Sequence, residues 1–396
     1  MAHLRKRFIE PIFKRAMSQA PSVCLLGMRQ VGKTTLLRHS VRTYITLDDE
    51  KTVSRMRSGE FGVLETPLTP VGLDECQKLP GLFDAIKLRI DARRQMGRFI
   101  LTGSVRFLSK RDIKESLTGR TKILELLPLT LAEALELPQC DFIHALSRAK
   151  KITDLEKTLR VRRSVSPRFM ENHLLCGGMP GICFKRDPRL RFDLFVVHLE
   201  TLLSRDLPLI YASRIPITRL RELLKLVSLH EGEPVSHEDL ARRVGVSPPT
   251  VKALLEAFQA LFLIRKCGKD VYFLEDGGLA HHLIPNELRP RRQLIQAFFY
   301  RELLALLHYR YHRAIEIKPY RTRGGASVPF TLHSSEFDFH LAFTVDSDER
   351  ASEKSLKSLH SYRKKHANVR MIALHEGVEM YEASNGIWCL PISAFF

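Results

Sequence analysis

The stretch Gly27-Met28-Arg29-Gln30-Val31-Gly32-Lys33-Thr34 decides the fold. It fits G-x-x-x-x-G-K-[ST], in which a tight loop follows a buried strand and opens a helix. Both flanks agree. Val23-Cys24-Leu25-Leu26 is a short apolar run suited to a buried parallel strand, and Thr35-Leu36-Leu37-Arg38-His39 reads as the first turns of a helix. Strand, loop and helix N-terminus aim several backbone N–H groups at one point, where the helix dipole adds positive potential. The pattern predicts a nucleotide phosphate site lined by Gly27, Met28, Arg29, Gln30, Val31, Gly32, Lys33, Thr34 and Thr35. Lys33 would reach the β- and γ-phosphates and the Thr34 hydroxyl would ligate Mg²⁺. Gly27 and Gly32 suit positions where a Cβ would obstruct the turn or the approach of phosphate.

Working outward, the apolar positions Leu4, Phe8, Ile9, Ile12, Phe13 and Met17 have helical spacing and predict an amphipathic helix over residues 5–20. Tyr44 to Leu47 is a candidate second strand. The acids that follow it, Asp48-Asp49-Glu50, either approach the phosphate edge or cap the next helix. Pro70-Val71-Gly72-Leu73-Asp74-Glu75 is an apolar strand closing on two acids, about forty residues after the loop, a spacing that leaves room for intervening βα units. Asp74 is the expected metal-side acid and Glu75 the expected base for the attacking water. Phe99-Ile100-Leu101-Thr102-Gly103-Ser104 is a third apolar strand. Its polar end, Thr102 and Ser104, either holds the water or senses the γ-phosphate, or is simple turn chemistry. Ser116-Leu117-Thr118-Gly119-Arg120 precedes another strand, Ile123 to Leu126. Arg120 there is either a phosphate-reaching arginine, in cis or from a neighbouring subunit, or an ordinary surface residue.

At 396 residues, with 44% hydrophobic and 27% charged content, the chain is globular and long enough for two or three domains. No apolar run approaches the roughly 20 residues that a membrane helix needs. The basic N-terminus has no apolar segment behind it, so no secretory signal is expected and the cytoplasm is the default location. The seven cysteines are scattered without C-x-x-C spacing, which fits a reducing compartment and not a structural zinc. A formal charge of +19 favours polyanion contact, nucleic acid first and acidic membrane surface second, unless it reflects a general basic bias.

The ordered set Gly27–Thr34 with Arg29-Gln30, Leu73-Asp74-Glu75-Cys76-Gln77, Leu101-Thr102-Gly103-Ser104 and Ser116–Arg120 ahead of Leu126-Leu127-Pro128-Leu129 resembles prokaryotic AAA-family ATPases with a C-terminal domain of unknown function. The resemblance implies ATP as the nucleotide, Thr102 or Ser104 as the sensor position, and Arg120 as a candidate phosphate-sensing arginine.

Beyond the ATPase segment, Leu129 to Arg163 is helical and increasingly basic, with Arg148, Lys150, Lys151, Arg160, Arg162 and Arg163. Leu175-Cys176-Gly177-Gly178-Met179-Pro180-Gly181 breaks it, similar to the Gly-Gly-x-Pro that opens the family's C-terminal part. A helix carrying Phe195, Leu199, Leu202 and Leu203 follows. Residues 234–266 read as a helix-turn-helix with a wing strand: Ser236 caps one helix, Gly245-Val246-Ser247 turns, and Pro248-Pro249-Thr250-Val251-Lys252 opens the second. In a DNA-binding version Ser247, Thr250 and Lys252 would face the major groove; in a protein-contact version they would not. The last hundred residues resemble a restriction-endonuclease-type fold. Asp338 would match its first acid, but Thr344 and Asp346 stand where Glu and Lys are required, so a scaffold and not a nuclease is expected.

The expected architecture is an α/β P-loop domain of AAA type with a parallel sheet (1–135), a helical linker and subdomain (136–230), a winged helix-turn-helix (231–270) and a small α/β domain (290–396). The expected function is Mg²⁺-dependent ATP hydrolysis driving a conformational change on a DNA or protein partner, with self-assembly open and no membrane insertion. The rivals are an ATP-gated DNA-binding regulator and a metal-dependent nuclease.

Overall fold

Strands β1 (Ser22–Leu26), β2 (Thr43–Thr46), β3 (Val71–Asp74), β4 (Phe99–Gly103) and β5 (Thr121–Glu125) form one sheet in the order β2-β3-β4-β1-β5, with every pair parallel. β1, β3 and β4 are buried at every residue, which is why they read as apolar runs rather than alternating ones. The computed structural model describes residues 4–106, 117–159, 166–212, 214–311, 315–336 and 338–396; Arg160, Arg162, Arg163 and Ser116 lie outside these. Gly72 is needed in mid-strand: a Cβ there would come within 2.8 Å of both Leu37 Cδ1 and Val41 Cγ1.

Helices α1 (Glu10–Gln19), α2 (Lys33–Arg38), α3 (Glu50–Arg57) and α4 (Leu82–Ala92) accompany this sheet. The first is shorter than the 5–20 expected. Pro11 lies in its first turn, where a missing N–H costs nothing. Ahead of it the chain instead carries Arg7 inward to bond the backbone of other segments. Asp49 accepts from the Thr52 N–H at 3.0 Å and so caps α3, which settles the role of that acid.

A helical layer follows: α5 (Leu131–Ala134), α6 (Phe142–Arg148), α7 (Ile152–Leu159), α8 (Pro167–Cys176) and α9 (Pro188–Thr201). The last continues into one π-helical turn, Leu202–Asp206. Next come α10 (Ile217–Leu229), α11 (His237–Val244), α12 (Pro248–Ala260) and an antiparallel hairpin of β6 (Ile264–Lys266) and β7 (Tyr272–Leu274). Ser236 caps α11 as the sequence predicts, and Ser247, expected as a turn residue, caps α12. The hairpin runs to Leu274, past the expected boundary at 270.

After α13 (Gly277–Leu283), the twenty-residue α14 (Arg291–Arg310) lies between two cores. Its Ala305 and Tyr309 belong to the core shared with the P-loop sheet, while Phe298, Phe299 and Leu303 belong to the C-terminal core. That C-terminal sheet is β8 (Lys318–Arg321), β9 (Ser327–Ser334), β10 (Phe339–Val345), β11 (Arg370–His375), β12 (Tyr381–Ala383) and β13 (Ile387–Pro391), in the order β12-β13-β11-β10-β9-β8, with α15 (Glu353–Arg363) crossing from β10 to β11.

The sheet and the helical layer meet backbone to backbone. Gly178 C=O accepts from Leu129 N–H at 2.8 Å, and Gly178 N–H donates to buried Asp276 Oδ2 at 2.7 Å. A Cβ on Gly178 would stand 2.1 Å from Leu129 O, a main-chain atom that cannot rotate aside. Gly178→Ala should therefore lower stability by roughly 2 kcal/mol or more in denaturant unfolding. Gly181→Ala, whose Cβ would meet nothing within 4 Å, should be nearly neutral.

Candidate active site

The sheet order gathers the predicted polar residues at one edge. β1 ends at Leu26 and passes directly into the loop; β3 ends in Asp74, and β4 carries Thr102 with Ser104 just beyond. All of these lie at the carboxyl ends of parallel strands, where open α/β sheets hold their ligands. Gly27 is required by crowding, since a Cβ there would lie 2.3 Å from Leu126 O. Gly32 adopts φ 105°, left-handed backbone that suits glycine, and opens α2.

Lys33 is buried, and its Nζ donates to Gly27 O at 2.9 Å and Met28 O at 2.8 Å. Burial pushes its ammonium down to about 8, Arg29 adds to this, and Glu75, Asp74 and Asp206 oppose it. Thr34 Oγ1 donates to Asp74 Oδ2 at 2.8 Å, so the two expected metal ligands touch. A hydroxyl beside a carboxylate, with no nitrogen or sulfur donor, suits a hard cation such as Mg²⁺ that takes its other ligands from water and phosphate. Among the described residues no group of three or more His, Cys, Asp or Glu is arranged to hold a metal.

Two further hydroxyls hold Asp74: Tyr44 OH donates to Oδ2 at 2.8 Å and Thr102 Oγ1 to Oδ1. Glu75 follows in left-handed backbone (φ 60°). Its N–H donates to Thr102 Oγ1 at 3.2 Å, and its carboxylate accepts from Ser104 Oγ at 3.0 Å and from Gln77 Nε2. Thr102 and Ser104 thus brace the two acids from the neighbouring strand.

Arg120 is elsewhere. Its carbonyl accepts from Ser22 N–H, at the start of β1, so it sits at the opposite edge of the sheet. A five-residue strand spans about 16 Å, which puts Arg120 out of reach of its own P-loop, and its guanidinium clasps Asp91 at 2.7 and 2.8 Å. Reach in cis is therefore overturned.

Sequence reasoning missed three contributors. Arg7 is buried and donates to Val31 O at 3.0 Å and Leu127 O at 2.6 Å, bracing the loop from behind, while Glu133 neutralises it at 3.2 Å. Tyr44 was read only as a strand residue. Asp206, from the π-helical turn, pairs with Arg29 at 3.5 Å. Nothing local marks Arg7 or Asp206, whose contacts lie 24 or more residues away. Beside the loop opens a cleft of about 800 Å³, lined by Phe13, Met17, Gly32, Thr35, Leu36, Leu129 and Pro180 among others, with Arg5, Lys6 and Lys14 at its wall.

The two other candidate regions fare differently. Ser247 Oγ and Thr250 Oγ1 bond each other at 2.8 Å while capping α12, so both hydroxyls are engaged; Ser247 and Lys252 are exposed and Thr250 is half-buried. The hairpin after α12 is packed against the C-terminal domain: Cys267 Sγ contacts Ile317 O, and a Cβ on Gly268 would strike Pro319. In that domain Asp338 lies just before β10 and Asp346 just after it, roughly 25 Å apart along an extended strand. They cannot share a metal, and the expected alignment of Asp338 with Thr344 and Asp346 in one site is wrong. β9, the neighbouring strand, reads Ser-Val-Pro-Phe-Thr-Leu-His-Ser and carries no carboxylate. Asp346 is occupied as an acceptor from Ser352 and Ser355.

Residues 19–135 match the family model described as AAA domain, and residues 168–269 match a domain of unknown function. Uncharacterized proteins of Mycobacterium tuberculosis and Mycobacterium bovis are 26% identical over 286 residues, 68% of this chain and 58% of theirs. The match thus spans little more than half the length of these curated relatives. Among solved structures, the chain is similar to a Walker-type ATPase of Pyrococcus abyssi (19% identity, 69% of this chain and 93% of that one, TM-score 0.43). It is also similar to a RuvB variant of Thermotoga maritima (18% identity, 67% and 90%, TM-score 0.28). With its loop and its all-parallel sheet, the segment 19–135 of this chain has the P-loop fold, and it is this segment that matches the AAA-domain model.

Proposed function

We propose that this chain binds ATP with Mg²⁺ and hydrolyses it, and that turnover shifts the helical and C-terminal parts against a partner. The carrying observation is the convergence of Lys33, Thr34, Asp74, Glu75, Thr102 and Ser104 on one sheet edge. Lys33 and the Gly27–Thr35 backbone would hold the phosphates. Thr34 and Asp74 would hold the metal, which supplies charge neutralisation of the β- and γ-phosphates. Glu75, fixed by Ser104 and Gln77, would orient the attacking water and take its proton. The apolar wall of Phe13, Met17, Leu36 and Pro180 suits a nucleobase, and Arg5, Lys6 and Lys14 add positive charge to the same cleft.

The partner is the less defined half. The +19 charge supports contact with a polyanion backbone. The occupied hydroxyls of Ser247 and Thr250 and the packed hairpin argue against base readout by α12 and favour a protein partner for the winged-helix unit. Seven free thiols suit a reducing compartment such as the cytoplasm, and among the described residues no helix is long and apolar enough to cross a membrane.

Lys33→Ala should abolish ATP binding in calorimetry. Glu75→Gln should keep binding but lower phosphate release by about a hundredfold or more; undiminished release would remove Glu75 from the role of base and leave ATP-gated binding without turnover as the better account. Lys33 supplies a pH test as well. It is charged below about 8 and neutral above, and phosphate favours the charged form. ATP affinity should therefore fall as pH rises through 8, with uptake of up to one proton on binding, and Lys33→Arg should flatten that fall.

A further inference from the structure

The P-loop has a charged neighbour from outside its own domain. Where α9 passes into the π-helical turn, Asp206 is 3% exposed and its Oδ2 lies 3.5 Å from Arg29 Nη1. A relaxed guanidinium–carboxylate bond closes to about 2.7–2.9 Å, so this pair is loose, and Oδ2 has no hydrogen-bond partner among the described residues. Two turns earlier His198 is 1% exposed, with no hydrogen-bond partner at either ring nitrogen. It lies in electrostatic reach of both Arg29 and Lys33. Asp206 in turn feels Arg29, Arg205 and Glu75, and Arg205 reaches across to Asp48 at 3.7 Å. Buried polar groups are normally satisfied. Here two on one short segment, His198 and Asp206, are not, and both act on the P-loop residue Arg29. Single π-turns inside α-helices are frequent at functional sites.

A γ-phosphate held between Lys33 and Glu75 would bring negative charge into the space that Asp206 already influences. Arg29 is on the loop itself and 23% exposed, held by one loose partner. Two anions would then compete for one guanidinium. ADP, lacking the terminal phosphate, sets up no such competition. We infer that Arg29 reads the γ-phosphate, exchanging Asp206 for it when ATP is bound, so that the Arg29–Asp206 pair weakens ATP binding and spares ADP. This deepens the reading of the site as an ATP site and rests on it. Opening the pair also frees the α9 segment, which carries the nucleotide state into the helical layer.

The test is calorimetric binding of ADP and of a β,γ-imido ATP analogue, each with Mg²⁺, to the full chain. Asp206→Asn should raise affinity for the analogue several-fold, on the order of tenfold, and change ADP by less than about twofold. Arg29→Ala should lower analogue affinity by about tenfold with ADP nearly unchanged, Arg29→Lys should recover part of the loss, and Asp206→Asn should give no gain in an Arg29→Ala background. Equal factors for the two nucleotides in each variant would mean a merely structural pair and would overturn the inference, as would unchanged analogue affinity in Arg29→Ala. Should Asp206→Asn fold poorly, Arg29→Ala and Arg29→Lys decide the matter. Failure of the unsubstituted chain to bind either nucleotide would instead overturn the P-loop reading itself.

Discussion

One contact organises the nucleotide edge: the hydroxyl of Thr34, at the start of α2, meets the carboxylate of Asp74, at the end of β3, at 2.8 Å. The two residues are forty positions apart, and only the strand order β2-β3-β4-β1-β5 brings them together, with β4 between their strands. That spacing leaves β4 to supply the braces. Thr102 bonds the Asp74 carboxylate and the Glu75 N–H, and Ser104 bonds the Glu75 carboxylate. Three hydroxyls, from Thr34, Tyr44 and Thr102, donate to this one buried carboxylate. The acid is therefore held in place by groups that a cation can displace or join.

The parts of this arrangement legible in the sequence are those encoded in short stretches. The loop, the strand closing on Asp74-Glu75, the polar end of β4, and the caps at Asp49 and Ser236 each sit within a few residues of the signal that marks them. What escaped depends on topology. Arg120 precedes a strand next to the P-loop strand, and sequence spacing does not say which edge of a sheet such a residue occupies; here it is the wrong one. Arg7 and Asp206 act over separations that no periodicity records. Asp338 failed for the same reason in another form. It lies just before β10, at the opposite end of that strand from Asp346, so chain adjacency stood in for a spatial adjacency that an extended strand does not provide.

The stretch expected to be a winged helix-turn-helix contains two helices and a hairpin, and the setting of that hairpin limits what the unit can do. The hairpin that would serve as a wing shares a core with the C-terminal sheet, with Phe273 stacked on Tyr300 at 3.9 Å. Ion pairs reinforce the join: Arg321 reaches Glu233 at 2.7 Å, and Arg289 and Arg301 converge on the buried Glu231. A module held on this side by aliphatic, aromatic and ionic contacts is a structural joint first. Fold-level likeness to a DNA-binding unit carries no functional weight against such packing.

The same joint reaches the nucleotide edge through the strand that braces it. Two residues beyond Ser104, Arg106 N–H donates to Ala260 O, the last residue of α12, at 2.8 Å. Its guanidinium lies over the Phe262 ring at 4.4 Å and bonds Glu125 at 3.1 Å. Glu125 ends β5 and also pairs with Arg265 of β6, which pairs in turn with Glu275. In this network Glu125, Arg265 and Glu275 are almost fully buried and Arg106 is about two-thirds buried, so separating the Arg265 pairs would strand a charge in low dielectric. The network therefore resists stretching and favours moving as a unit. A shift of the β4 end large enough to alter the Ser104–Glu75 bond must displace α12 and the hairpin with it, or break a buried ion pair. Since the hairpin is packed into the C-terminal core, the position of the Glu75 carboxylate and the placement of the last hundred residues are mechanically one problem.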